Sequence, residues 1–414
     1  MNIGPILRAM KHNRTRVILI VLEIAMTLAI VTNCVNVIMA ERVRMSQKSG
    51  FDDENILAIR TRPFATEFQE ESFVDAIIDN DLRAIESIPE VRAVANTNFQ
   101  LWEGGGSGTN LRPLESRNEP AHVQIYFSTP GFFDTLGSPI IDGRGFRPED
   151  YATGGEQDPF TVVVITKTMA DLMFPEGGAV GKSVQLGSHD DPFLDPPLTV
   201  IGVMGEFYNP FGRLGGDPQP VESRAMIIPA RVGGYYSGIR YLVRTEPGAT
   251  SSIIPAIEKR LTAVDSRRVF EFQTMTDKKA RWFSGSKIIV TTMTCIIIAL
   301  VAVTALGLLG LTSLAVAERT KQIGTRRALG ATRGDIVRHF LIENWLLTTA
   351  GLLLGVAGAY ALNYMLVSQV SDVKMQWQLI AAGMVLLWIN GLLSTIPPAL
   401  KASMVSPSIA TRSV

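Results

Sequence analysis

The sequence predicts a membrane protein: an α-helical four-span bundle that carries a large α+β extracytoplasmic domain between spans 1 and 2. Three observations predict it. Four apolar runs are each long enough to cross a bilayer. Positive charge gathers in the short segments beside them. The one long segment is acidic and patterned as strands and helices.

Residues 1–16 hold Arg8, Lys11, Arg14 and Arg16 and no acid. The first span, 17–39, has Glu23 as its single charge. As a helix it is about 35 Å long. It is too long for a signal-peptide core, and Val37-Ile38-Met39-Ala40 lacks a small-residue cleavage pattern, so it reads as a retained anchor. Glu23 lies about two turns from the inner surface, where it can snorkel or meet a basic neighbour. The second span, 288–317, is uncharged throughout and about 45 Å long as a helix. Its outer end is expected to project as a stalk. The third span, 340–367, has Glu343 near its inner end. Its Gly351, Gly355 and Gly358 form a small face that permits close packing within the bundle or against a second copy. The fourth span, 377–396, is expected to end at Pro397-Pro398.

Basic residues orient the chain. Residues 1–16, the segment 318–339 and the tail 397–414, with Lys401 and Arg412, are placed in the cytoplasm. Residues 40–287 are then on the outer side of the membrane, and 368–376 is an external turn. From Glu41 to Arg281 there are 34 acidic and 25 basic residues, a net of −9. That excess of acid argues against nucleic acid as a partner. The two cysteines, Cys34 and Cys295, lie in apolar runs, so the large domain has no internal disulfide.

The domain begins and ends on the same pattern. Strand 56–60, helix 70–87 and strand 91–97 are mirrored by strand 241–243, helix 252–264 and strand 269–272. Apolar Phe73, Ile77, Ile78, Leu82 and Ile85 recur at helical spacing. Two such βαβ units suggest one domain, split over 50–100 and 236–275, around an insertion at 101–235. The insertion is rich in Gly and Pro. Its clearest strands are 161–166 and 198–204, with short helices at 130–136 and 168–174. Residues 101–108 read as a mobile glycine-rich loop.

Two stretches imitate ligand sites. Gly177-Gly178-Ala179-Val180-Gly181-Lys182-Ser183 resembles a P-loop, but Glu176 occupies the first glycine position and a strand, 184–186, follows instead of a helix. It reads as a turn. His189, Asp190, Asp191 and Asp195 lie in a Pro-rich acidic loop and read as solvated rather than metal-binding. No Ser/His/Asp grouping, CxxC pair or HExxH motif occurs, so no catalytic residue, cofactor site or metal site is assigned.

Between the second and third spans runs ERTKQIGTRRALGATRGDI, residues 318–336. It is too short to be a domain. It is suited to a short basic helix at the membrane surface, docked into a groove on a soluble partner.

With these residues in view, the chain resembles the MacB/FtsX family of ABC-transporter permeases. The segment 318–336, followed by Phe340-Leu341-Ile342-Glu343, is similar to the family's E-R-x-x-x-I-G-x-R-x-A-L-G-A signature. The tail Pro398-Ala399-Leu400-Lys401-Ala402 with Pro407-Ser408-Ile409-Ala410 is similar to the family's ending. Pro130-Gly131-Phe132-Phe133 through Gly137 and Asp142-Gly143-Arg144-Gly145-Phe146 look like the MacB-type periplasmic core. The resemblance implies two permeases, identical or paralogous, and two ATPase subunits that bind ATP and Mg. It implies a porter-like subdomain with a β-rich subdomain inserted in it, and mechanotransmission from ATPase to periplasm. Full-length MacB carries a fused ATPase before span 1. Here only residues 1–16 precede it, so the ATPase is expected on a separate chain and this one is expected to have no catalytic site.

The implied coupling residues are Glu318, Arg319, Ile323, Gly324, Arg326, Arg327, Ala328, Leu329, Gly330 and Ala331, with a coupling helix at 323–331. Arg326 and Arg327 would contact the ATPase groove; membrane lipid is the competing partner. The expected function is a permease subunit of an ATP-driven exporter or extractor, which would add a periplasmic adaptor and an outer-membrane channel as partners. A lipoprotein-releasing permease and a non-transporting, FtsX-like regulator of an external hydrolase are the alternatives.

Overall fold

The computed structural model describes residues 14–98, 101–103, 106–114, 121–151, 160–187, 197–205, 207–208, 223–367 and 375–406. The chain divides into two units, Gln47–Ser284 and the pair Met1–Ser46 with Gly285–Val414. The acidic loop around His189 lies outside the described residues.

In the first unit, β1 (Ile56–Pro63), α2 (Glu71–Glu86) and β2 (Val91–Asn96) are followed much later by β10 (Ile239–Thr245), α5 (Ile254–Val264) and β11 (Arg268–Thr274). The four strands form one antiparallel sheet in the order β11-β1-β10-β2. The period-two pattern puts Leu57, Ile59, Tyr241 and Val243 on the face under the helices. There they meet Ile77, Ile78, Ile85, Ile257 and Leu261. The two ends of the domain are therefore interleaved: β10 lies between β1 and β2.

A buried polar triad crosses the same seam. Tyr241 Oη donates to Asp81 Oδ2 at 2.5 Å, and Arg268 Nη2 donates to Asp81 Oδ1 at 2.5 Å. Arg268 Nη1 also reaches Asp81 Oδ2. Both charged side chains are 0% exposed. Burial pushes the Asp81 carboxyl up, and the bonds from Arg268 and Tyr241 oppose it.

The insertion contributes β3 (Ser107–Pro113), β4 (Ala121–Ser128), α3 (Phe132–Leu136), β5 (Ile140–Gly143), β6 (Val162–Thr166), α4 (Lys167–Met173), β7 (Ser183–Leu186), β8 (Leu198–Met204) and β9 (Ala225–Pro229). These strands run in the order β5-β8-β6-β9-β4-β3-β7, and β7 pairs again with β8. Six strands thus close on themselves around Leu111, Val123, Val163, Ile165, Val200 and Met226. The P-loop mimic is a turn: Gly177, Gly178 and Gly181 have φ of 83°, 67° and 86°, and β7 follows directly.

The loop expected to be mobile at 101–108 is anchored at its start. Leu101 and Trp102 are buried, and Ser107 and Gly108 already belong to β3. Trp102 has φ 60°, a strained value for a bulky residue. It is held by an Nε1 bond to Asp53 Oδ1 at 2.9 Å and by packing on Phe51, Tyr208 and Phe283.

Among the described residues, the second unit holds four helices long and apolar enough to cross a membrane: α1 (Arg14–Met45), α7 (Ser284–Glu318), α9 (Arg333–Val367) and α10 (Trp377–Ser403). Between α7 and α9 lies a shorter helix, α8 (Thr320–Ala328). The glycine face of α9 packs on α1 of the same chain. A Cβ at Gly355 would lie 2.9 Å from the Ala25 carbonyl oxygen. Polar side chains bond between helices: Thr27 with Thr304 at 2.8 Å, Asn33 Nδ2 to Ala359 O at 3.1 Å, and Asn344 Nδ2 to Gly391 O at 2.9 Å.

The fourth helix does not end at Pro397-Pro398 as expected; it runs on to Ser403. Two interior prolines remove two backbone bonds, a cost of roughly 3 kcal/mol or more each in an isolated helix. Packing outweighs that here. Ala399 and Ala402 are fully buried against Val316, Ile323, Ile336 and Phe340.

Candidate functional site: the elbow between the second and third long helices

The elbow is built from local signals that end one helix and start the next. Helix α8 stops where Gly330 adopts φ 97°. There Ala331 N donates to Arg326 O at 3.1 Å and Gly330 N to Arg327 O at 3.2 Å, a Schellman closure. Two residues later Thr332 caps α9. Asp335 N donates to Thr332 Oγ1 at 3.2 Å, and Thr332 N donates to Asp335 Oδ2 at 3.0 Å. This reciprocal pair is a capping box with Asp in place of Glu. The expected helix at 323–331 is therefore corrected: it spans Thr320–Ala328, and Leu329, Gly330 and Ala331 form the turn.

The helix has two faces. Ile323 and Gly324 are buried, and Ile323 meets Val316, Ile336 and Phe340. Arg326, Ala328, Leu329 and Gly330 are exposed, as is Glu318 before the helix. Leu329 is 83% exposed, an apolar side chain held out at the tip of the turn.

Two arginines brace the elbow from inside. Arg319 Nη1 donates to Glu343 Oε2 at 2.9 Å and to Oε1 at 3.2 Å, joining the start of α8 to α9. Arg327 Nη1 donates to the carbonyls of Ser403 at 2.6 Å and Val405 at 3.3 Å, at the end of α10. The Arg327 guanidinium is thus turned onto its own chain and is half-buried. Of the two arginines singled out, Arg326 alone faces out.

Sequence reasoning missed the brace partners. Glu343 was noted for its place in the span and in the signature but not as a partner of Arg319, and backbone carbonyls at 403 and 405 leave no trace in side-chain identity. The Thr332–Asp335 cap was missed as well, although T-x-x-D is a cap pattern.

A second set of contacts fixes the short helix α6 (Met275–Trp282) within its own unit. Thr276 Oγ1 donates to Asp53 O at 3.1 Å, Lys279 Nζ to Asp53 Oδ2 at 2.6 Å, and Lys278 Nζ to Glu103 Oε1 at 2.8 Å. Phe283 alone separates α6 from α7 in the chain.

Residues 18–263 match the family model of the MacB-like periplasmic core domain, and residues 294–407 match that of the FtsX-like permease C-terminal region. The macrolide export ATP-binding/permease protein MacB of Hahella chejuensis is 26% identical over 338 residues, covering 81% of this chain and 48% of that protein. The chain thus spans about half the length of such relatives. An uncharacterized ABC transporter permease of Bacillus subtilis, YknZ, is 23% identical over 337 residues, covering 81% of this chain and 78% of that one. Among solved structures, the periplasmic region of MacB from Actinobacillus actinomycetemcomitans superposes with a TM-score of 0.35 and 14% identity, covering 58% of this chain and 98% of that one. From the matches to both family models, which run from the first long helix through the elbow to the fourth, the chain belongs to the MacB/FtsX-type family of ABC-transporter permeases.

Proposed function

We propose that this chain is the permease subunit of an ATP-driven exporter or extractor that works by mechanotransmission. A separate ATPase, which carries ATP and Mg, binds the elbow from the cytoplasm; the domain between the first two spans acts on substrate in the periplasm. The termini lie in the cytoplasm and a second permease completes the bundle, all in a bacterial inner membrane.

The observation that carries this reading is the braced elbow. Arg319 and Arg327 tie its inner side to α9 and α10, while Leu329 and Arg326 are presented outward. A rigid lever with an apolar tip and outward cations, Arg326 with Lys321 and Arg333, suits a groove with an apolar floor and an acidic or carbonyl rim. Force applied at α8 passes into α7 through one residue and into α9 through Glu343. At the far end of α7, the latch of α6 onto Asp53 and Glu103 would receive it.

The test is Leu329→Asp together with Arg326→Ala in the assembled complex. ATP hydrolysis that no longer drives substrate movement is the expected result. Unchanged coupling would remove the elbow from the mechanism.

A further inference from the structure

Arg60 on β1 and Arg240 on β10 stand directly opposite one another in the antiparallel register of the four-stranded sheet. Both point to the face away from α2 and α5, since Leu57, Ile59, Tyr241 and Val243 occupy the other. Side chains so placed start about 5 Å apart, and like charges there repel.

Other arginines of this sheet have acids. Arg62 meets Glu271 at 3.4 Å, Arg244 meets Asp52 at 3.4 Å, and Arg268 meets Asp81. Neither Arg60 nor Arg240 has an ion pair among the described residues. Arg240 Nη1 donates to the Asn98 carbonyl at 3.0 Å. The Nε of each guanidinium is shut away from solvent with no acceptor.

The neighbouring acids are already engaged. Glu103 meets Lys278 at 2.8 Å, and that lysine is itself only 4% exposed. Glu271, opposite Arg60 on β11, accepts from Gln273 Nε2 at 2.6 Å and from Arg62. Burial, together with the Arg60 charge, holds the Arg240 guanidinium below the usual arginine range. The Nη atoms of Arg60 and Nη2 of Arg240 carry no hydrogen bond among the described residues and are not among the buried donors, so they are the groups that can meet the oxygens of a tetrahedral anion.

We propose that Arg60 and Arg240 form a binding site for a phosphate-class oxyanion on the face of the sheet opposite α2 and α5, with Lys278, itself paired with Glu103, as a third positive neighbour. The site is independent of the coupling function and stands or falls without it. A soluble phosphate compound and an anionic lipid headgroup share the required chemistry.

The experiment uses the full chain in phosphatidylcholine nanodiscs, melted by tryptophan fluorescence. Inorganic phosphate is compared with chloride at matched ionic strength. Phosphate at ten times its dissociation constant raises the midpoint of the wild type by about 3 °C. Arg60→Gln and Arg240→Gln lose that increment, and Arg62→Gln keeps it. Comparing variants cancels the general stabilisation that phosphate gives any protein. In chloride Arg60→Gln melts no lower than the wild type, because the substitution relieves repulsion.

In phosphatidylglycerol nanodiscs without free phosphate, a wild-type midpoint above that of Arg60→Gln identifies the headgroup as the source. A gap that opens only with inorganic phosphate identifies a soluble one. Equal phosphate increments in the wild type and both variants overturn the proposal, and so does an Arg60→Gln protein that melts lower in chloride. If phosphate has no effect while Arg60→Glu converts dimers to monomers by light scattering, the arginines face a second copy's carboxylate and the site is not a ligand site.

Discussion

One guanidinium nitrogen of Arg319 donates to both carboxylate oxygens of Glu343, with the two side chains 16% and 7% exposed. The pair joins residues 24 positions apart across the elbow and makes the α8–α9 corner a braced angle rather than a hinge.

Glu343→Gln keeps the shape and removes the charge. It is expected to lower stability by about 1–3 kcal/mol, because Arg319 is left without its counter-ion. The larger effect is expected on coupling. ATP hydrolysis by the assembled complex should persist while transport per ATP falls, as measured side by side in proteoliposomes.

Leu329 projects from the tip of the turn, 83% exposed, and in the proposed docking it meets the ATPase. Its loss should weaken ATPase binding without unfolding the permease, since the side chain contacts almost nothing in this chain. Leu329→Asp is expected to weaken association by about tenfold or more, as for loss of a central apolar contact. Binding of the purified ATPase to the permease in nanodiscs measures it. An unchanged affinity would move the docking surface elsewhere.

Gly355 has no room for a side chain. The Ala25 carbonyl oxygen would lie 2.9 Å from a new Cβ and the Ala25 Cα 3.0 Å away. Gly355→Val should separate α9 from α1 and cost about 1–3 kcal/mol or more. Reduced melting temperature and increased cleavage under mild proteolysis are the readouts. Leu353, two positions before Gly355 and 65% exposed, serves as the control site.

Asp81→Asn leaves Arg268 buried without a counter-charge. The expected loss is about 3–5 kcal/mol. Since the triad joins α2 of the first half to β10 and β11 of the second, the whole sheet should open together. Pulse proteolysis in urea, read at sites within 47–284, follows it.

Acid should destabilise the same unit through Asp150. Arg144 donates to it at 2.5 and 2.8 Å, and Arg147 N at 2.7 Å, so its carboxyl is held below the usual aspartate range. A depressed native value means that the stabilisation is present above the unfolded value of about 3.9 and is lost as pH falls through the native one. Arg144→Gln should raise the pH of the acid transition and cost about 1 kcal/mol at neutral pH, a figure already reduced for the partial exposure of Arg144. Acid titration of fluorescence checks the direction.

How much was legible depends on the range of the force involved. Hydropathy over twenty residues found the four long helices, but charged flanks extended each of them, because Arg14, Arg333 and Lys401 continue a helix without being apolar. Period-two alternation found Ile56–Arg60 and Leu198–Met204. It could not show that β7 returns to β8 and closes the ring, because that pairing is decided by which edge remains free after the other strands are placed. The Gly330 stop and the Thr332–Asp335 cap are local backbone chemistry, yet the expected helix at 323–331 ran through the first and made no use of the second. The turn of Arg327 toward Ser403 could not be read from local sequence.

By itself the sequence determined the spans, the elbow between two of them and the doubled βαβ pattern, since apolar length, charge placement and side-chain period act within a few turns of the chain. Tertiary structure alone decided that the fourth helix runs through two prolines, that Arg327 faces inward while Arg326 faces out, and that Arg60 and Arg240 stand side by side on adjacent strands. Each of those outcomes depends on residues tens to hundreds of positions apart, whose mutual burial outweighs local preference only once the packed fold exists.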